Sequence, residues 1–205
     1  MAFFPILIEL QDAPCLVAGG GALALHKAQK LLEHGAKVRV VAPEICPELK
    51  ALPVQCVYRK AAAEDTAGML LVMDATGDAE AERMLSAACS AAQIPYNCAG
   101  HGAACTAILP AVYSRGRVTM AISSLGASPA ASAYLRDTLS AHIPAQMDAI
   151  LEEMERLRAV SKTHFAAQPI RRRFLHRCLD AMLAYGRVLS AEEAEAILAE
   201  IQKEI

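Results

Sequence analysis

The sequence predicts an α/β fold, a doubly wound parallel sheet with a helical region behind it. Three observations carry that expectation. A short apolar run, Cys15 to Ala18, ends in Gly19-Gly20-Gly21 and passes at once into a helical pattern of Ala24, Lys27, Ala28, Leu31, Leu32 and Gly35. Strand-like and helix-like segments alternate over about a hundred residues, as in sheets built from βαβ units. Beyond Pro144 the apolar residues recur at helical spacing alone.

In chain order, Phe4 to Leu10 (FPILIEL) is a short apolar segment, expected as a strand or an extended cover over the sheet. Asp12-Ala13-Pro14 breaks it. Cys15 to Ala18 is then the first buried strand. The spacing Gly19-x-Gly21-x-x-Ala24 fits the G-x-G-x-x-G/A turn of Rossmann-like dinucleotide sites. Its first glycine permits a tight turn, and its second lets backbone approach a pyrophosphate. Ala24 lets helix and strand pack closely. The helix N-terminus adds free N–H groups and a partial positive charge. The helix runs from about Leu23 to Gly35, and Lys37 to Ala42 is the second strand, closed by Pro43. The acid that holds a ribose is absent there or displaced to Glu44. No arginine follows it, which favours NAD over NADP.

Val54 to Tyr58 reads as a third strand, and Ala61 to Ala67 as a turn or short helix. Met69 to Asp74 is a fourth strand, running into the small polar turn Ala75-Thr76-Gly77-Asp78 at the sheet's ligand edge. A helix over Glu80 to Ala92 precedes a fifth strand from Pro95-Tyr96-Asn97. After Pro110 the pattern changes. Arg117 to Ile122 is strand-like, and Ser123 to Ala127 forms a second small-residue turn. Ser128 is an N-cap with Pro129 at the first helical position, for a helix to about Ala141. Ile150, Met154 and Leu157 make one helical stripe. Ile170, Phe174, Leu175, Cys178, Leu179 and Met182 make another. Ser190 to Glu193 is a capping box for a last helix with Ile197, Leu198 and Ile201.

Composition narrows the function classes. The chain has 205 residues, 55% of them hydrophobic, with 4% aromatic and a net charge of −2. That is globular composition, and it gives no argument for nucleic acid or a membrane surface. No apolar run reaches the ~18 residues that span a bilayer. Met1 to Pro5 has no basic region of a secretory signal. Seven scattered cysteines without a C-x-x-C pair read as reduced thiols in a cytosol. Cys98, His101 and Cys105 are spaced as C-x-x-H-x-x-x-C, which is compatible with zinc. A fourth ligand is not evident, and small buried cysteines are the simpler reading, so no metal site is expected. Arg171, Arg172, Arg173, His176 and Arg177 form a basic patch, expected as a solvated helix face.

Several segments together resemble one known family. They are FPILIEL, LVAGGGALALHKAQKLLEHGAKVRVVAPE, LLVMDATGD, IPYN, ILPAVYSRGRVTMAISSLGASPA and LRDTLSAHIP. They resemble the precorrin-2 dehydrogenase and sirohydrochlorin ferrochelatase family, the N-terminal module of siroheme synthases. The resemblance covers roughly residues 3 to 145, and SRGRVTMAISSLGASP is its most specific part. It implies NAD-dependent dehydrogenation of precorrin-2 to sirohydrochlorin by a homodimer, which the cysteine usage places in the cytoplasm. In some members Fe²⁺ insertion follows, and Co²⁺ is a second candidate metal substrate. It also implies a Rossmann-like NAD domain over 1–110, a dimerisation and substrate-pocket segment over 111–145, and a small helical domain over 146–205.

Carried over residue by residue, the cofactor contacts are Gly19, Gly20, Gly21, Ala22, Leu23, Pro43 and Glu44, with Thr76 and Asn97 on the nicotinamide side. Ser123 matches a family serine beside the tetrapyrrole and is expected, with His101, to be catalytic. The substrate is a polycarboxylate, so its pocket needs cations and N–H donors. Arg115, Arg117, Arg136, Ser124 and Gly126 are the candidates.

One departure stands out. Where the family reads N-V-V-D-D, this chain reads Asn97-Cys98-Ala99-Gly100-His101, and no carboxylate lies between Glu82 and Asp137. Either His101 takes over the family aspartate's proton handling, since a neutral imidazole accepts protons and ligates Fe²⁺ or Co²⁺, or the chemistry is lost or changed. A chelatase alone and a non-catalytic tetrapyrrole carrier are the corresponding alternatives.

Overall fold

The computed structural model describes residues 3–98 and 104–204. The chain forms two compact units, Met1–Leu109 and Pro110–Ile205.

The first unit is built on five strands: β1 (Pro14–Ala18), β2 (Lys37–Val41), β3 (Gln55–Val57), β4 (Leu71–Asp74) and β5 (Tyr96–Cys98). Their order is β3-β2-β1-β4-β5, all parallel. Helices α1 (Ala22–Glu33), α2 (Pro47–Lys50) and α3 (Ala79–Ala92) and a short 3₁₀ turn (Ala63–Thr66) connect them. Side chains alternate along a strand, so the sheet has two buried faces. Cys15, Val17, Val38, Val40 and Met73 pack with Ala24, Ala28 and Leu31 of α1 and Leu49 of α2. Leu16, Ala18, Val41, Val72 and Tyr96 pack with Leu85 and Cys89 of α3. Each such fully buried Leu or Val contributes roughly 2 kcal/mol. The expected double winding is present.

Gly35 ends α1 with φ of 78°, a left-handed turn that only glycine adopts without strain. Two local expectations change. FPILIEL pairs with no strand among the described residues, and Phe4 and Leu7 are 84% and 82% exposed. The inner strands already have both neighbours, and Pro5 brings no N–H to an edge. The short helix α2 also went unread, because its single turn shows no period and begins at Pro47.

The second unit opens with an antiparallel hairpin, β6 (Ala111–Arg115) and β7 (Val118–Ile122). Only the second of these strands was expected. At the hairpin turn Gly116 has φ of 55°, and a Cβ there would run into the Asp148 carboxylate, which accepts the Arg117 N–H at 2.7 Å. Helix α4 (Pro129–Ser140) packs on the hairpin. Helices α5 (Met147–His164), α6 (Gln168–Tyr185) and α7 (Ala191–Lys203) share one core of Ile150, Leu157, Phe174, Cys178, Met182 and Ile201. The Phe165 and Phe174 rings sit 5.8 Å apart within it. The Ser190–Glu193 capping box forms as read, and Arg187 grips the same Glu193 carboxylate at 2.7 and 2.8 Å. No helix among the described residues is long and apolar enough to cross a membrane.

Candidate functional site

The turn between β1 and α1 uses its three glycines for three different reasons. Gly19 has φ of 119°, and a Cβ on it would press on the Ala75 carbonyl after β4. Gly20 passes so close to the backbone after β2 that a Cβ would overlap the Glu44 carbonyl oxygen. The Gly20 carbonyl in turn accepts the Cys46 N–H at 2.8 Å. Gly21 meets nothing within 4 Å of where its Cβ would stand. It is also the N-cap of α1, in extended conformation, with no side-chain cap and no acid in the first turn. The first N–H groups of α1 therefore lack the side-chain acceptor that a helix start usually has.

This turn borders a cavity of ≈ 760 Å³, within the ~300–1,000 Å³ range of small-molecule sites. Gly19, Gly20, Gly21, Pro43, Glu44 and Thr76 all line it. Ala22 and Leu23 begin α1 beside the turn, and Leu23 is 43% exposed. A backbone cradle open at Gly21 beside an uncapped helix N-terminus fits a dinucleotide's pyrophosphate.

Thr76 is fixed from below. Its N–H and hydroxyl both donate to Asp74 Oδ1, at 2.8 and 2.7 Å. The other Asp74 oxygen accepts the Tyr96 hydroxyl at 2.8 Å, well inside the sheet. Burial and then the Asp74 carboxylate push the Tyr96 phenol above its ordinary range. The neighbouring Asp78 caps α3, and the Glu80 and Ala81 N–H groups hold its carboxyl below the usual value.

Sequence reasoning missed one lining residue. Lys60 shares the cavity with Glu44, so a cation stands where only an acid was considered. Its signal was the basic pair Arg59-Lys60 immediately after the third strand.

Asn97 lies elsewhere in this unit and does not line the cavity. Its Oδ1 accepts the Lys27 ammonium at 2.5 Å, and its Nδ2 donates to the Ala107 carbonyl at 3.0 Å. Lys27 is 5% exposed, a lysine on the apolar stripe of α1. His101, with Gly100, lies outside the described residues. Among the described residues no group of three or more His, Cys, Asp or Glu is placed to hold a metal ion.

The candidates in the second unit are bonded locally. Ser123 Oγ accepts the Leu125 N–H at 3.1 Å. Ser124 Oγ donates to the Ser128 carbonyl and accepts the Ser128 N–H, both at 2.9 Å, and takes the Ser132 hydroxyl at 3.1 Å. Gly126 has φ of 88° and open space at its Cβ position. Arg115 donates to the Pro144 carbonyl at 2.5 Å, Arg117 pairs with Glu155, and Arg136 pairs with Asp137 at 2.8 Å. Arg117 also lines a groove between α5 and α6 with Arg158, Arg171 and Arg172.

Comparison with known proteins adds the following. Residues 6–111 match the family model described as "Putative NAD(P)-binding". The chain is 34% identical over 184 residues to the siroheme synthase of Thioalkalivibrio sulfidiphilus, covering 88% of this chain and 38% of that one. It is 35% identical over 209 residues to the siroheme synthase of Chromobacterium violaceum, covering 100% of this chain and 44% of that one. The chain thus spans less than half the length of these relatives. A solved structure titled "SirC, precorrin-2 dehydrogenase" matches with a TM-score of 0.71 and 23% identity, over 98% of this chain and 100% of the other. At that identity the likeness concerns the fold.

Proposed function

The chain belongs to this NAD(P)-binding family, that of the siroheme synthases, and from that premise we propose that it is an NAD-dependent dehydrogenase converting precorrin-2 to sirohydrochlorin. The observation that carries the reading is the cavity at the β1–α1 turn, with Gly21 open and α1 uncapped.

In this reading Gly19, Gly20, Gly21, Ala22 and Leu23 seat the pyrophosphate, through backbone N–H groups and the α1 dipole. Pro43 and Glu44 receive the adenosine ribose. The Glu44 carboxylate accepts the 2′-hydroxyl that NAD offers and repels the 2′-phosphate of NADP. Lys60 supplies a counter-charge to phosphate in the same cavity. Thr76, held by Asp74, and Asn97, held by Lys27, orient the nicotinamide side. When bound, the nicotinamide accepts the hydride that leaves the tetrapyrrole. A proton must leave as well, and His101 is the acceptor we assign, standing where the family has aspartate. Ser123, Ser124, Gly126, Arg115, Arg117 and Arg136 contribute hydroxyl, N–H and guanidinium donors to the substrate's carboxylates.

The same proposal holds residues 1–110 to be the NAD domain, 111–145 a dimerisation and substrate segment, and 146–205 a helical domain. It makes the protein a cytoplasmic homodimer with no nucleic-acid or membrane partner. Insertion of Fe²⁺ or Co²⁺ into sirohydrochlorin is its secondary activity.

The test is anaerobic mixing of the protein with NAD⁺ and precorrin-2, followed by NADH absorbance. NADH formation is expected, and His101→Ala should slow it by about 100-fold, the usual weight of a general base. Full turnover in that variant would remove His101 from the mechanism. The replaced aspartate favours a second reading, and the same experiment decides it. Binding of NAD⁺ and precorrin-2 without NADH means a carrier. Metal insertion without NAD⁺ turnover means a chelatase.

A further inference from the structure

Where β5 ends, two cysteines meet. The Cys98 and Cys105 sulfurs lie 3.3 Å apart, and Cys105 Sγ accepts the Cys98 N–H at 3.1 Å. Both side chains are buried, at 9% and 7% exposure. A disulfide requires ~2.05 Å between sulfurs, so closure needs a shift of only about 1.3 Å. A buried cation stands nearby. Burial pushes the Lys27 ammonium down, and negative charge at Cys105, Asp74 and Cys98 works in the opposite direction. That ammonium is a ready counter-charge for a thiolate on either sulfur. Burial pushes the Cys15, Cys89 and Cys178 thiols up to about 11, which keeps them protonated and inert.

We propose that Cys98 and Cys105 form a redox-active dithiol that peroxide oxidises to a disulfide at the carboxyl end of β5. One thiol loses its proton, and its sulfur attacks a peroxide oxygen. The O–O bond breaks, leaving a sulfenic acid, and the departing hydroxide takes up the proton as water. The second sulfur, deprotonated, then attacks the sulfenic sulfur. The S–S bond forms, the S–O bond breaks, and the oxygen leaves as a second water. Two thiols are oxidised by two electrons, and one peroxide is reduced to two waters. The proposal stands apart from the dehydrogenase reading, since it requires neither cofactor nor tetrapyrrole.

The experiment treats the reduced full chain with stoichiometric hydrogen peroxide, followed by intact-mass and thiol measurement. The expected mass change is a loss of about 2 Da. Thiols titrated after denaturation should fall from seven to five, with a peptide linking Cys98 to Cys105. Dithiothreitol should restore all seven. Cys105→Ser should abolish the mass loss and leave a dimedone-reactive sulfenic acid at Cys98. Lys27→Met should slow disulfide formation by about 10-fold, because the thiolate loses its counter-ion. Retention of all seven thiols in the wild type would overturn the proposal, as would a link between other cysteines. Closure in Lys27→Met at the wild-type rate would overturn the part given to Lys27.

Discussion

Two turns in this protein do the same topological job with opposite chemistry. Gly19–Gly21 leads β1 into α1, and Ser123–Ser128 leads β7 into α4. At the serine turn the helix start is satisfied from within. Ser128 Oγ accepts the Ala131 N–H at 3.1 Å, Pro129 removes a donor, and Ser124 and Ser132 tie the loop to the helix. At the glycine turn nothing on a side chain performs that task, and the donors of α1 remain for a ligand. A helix start that satisfies itself is architecture. One left without a cap, beside a cavity, is where the proposed ligand belongs.

That contrast can be broken most directly at Gly21. Gly21→Asp places an anionic cap on an extended N-cap residue and closes the cradle. Helix stability should rise by a few tenths of a kcal/mol. Affinity for NAD⁺ should fall by at least about 100-fold, or ~2.7 kcal/mol. Titration calorimetry beside thermal melting reads both, and unchanged NAD⁺ affinity would end the assignment of the turn to pyrophosphate.

A second change asks whether the difference belongs to the turns or to the units that hold them. The first unit also contains a turn built by side chains. Asp65 accepts the Ala62 N–H at 2.8 Å and both Arg59 guanidinium nitrogens at 2.6 and 2.7 Å. Asp65→Asn should cost about 2 kcal/mol, less than a fully buried pair because Arg59 is half exposed. The Arg59 guanidinium holds the Asp65 carboxyl below its ordinary 3.8. Its contribution is therefore present above that value and lost as pH falls through the lower folded one. The gap between wild type and variant in denaturant melts should narrow as pH falls below 3.8, and a constant gap would refute the ion pair's role.

The smallest effect is expected at the serine turn. Ser128→Ala should cost about 1 kcal/mol in urea unfolding and leave NAD⁺ affinity unchanged.

Much of the fold could be read in advance where small residues or strict periods carry it. Gly19 to Ala24, Gly35, Ser128-Pro129 and the stripes of α5 to α7 each admit few local structures. What escaped reading depends on partners distant in sequence. Arg115 and Arg117, read as substrate donors, also bond within the chain, Arg115 to the Pro144 carbonyl and Arg117 to Glu155. Lys60 enters the cavity only because β3 lies at the sheet edge beyond β2. The approach of Cys98 to Cys105 likewise follows from the chain's return to Tyr96, whose carbonyl accepts the Thr106 and Ala107 N–H groups.

Tyr96 has one more consequence. The chain has no tryptophan and five tyrosines, so its near-ultraviolet spectrum belongs to phenols. Tyr58, Tyr134 and Tyr185 are exposed and Tyr113 is partly so, whereas Tyr96 is 1% exposed and donates to a carboxylate. In an alkaline titration burial and the Asp74 carboxylate hold the Tyr96 proton back, and this phenol ionises only when the first unit opens. The fold thereby carries its own optical gauge, confined to the half of the chain that holds the cavity at the glycine turn.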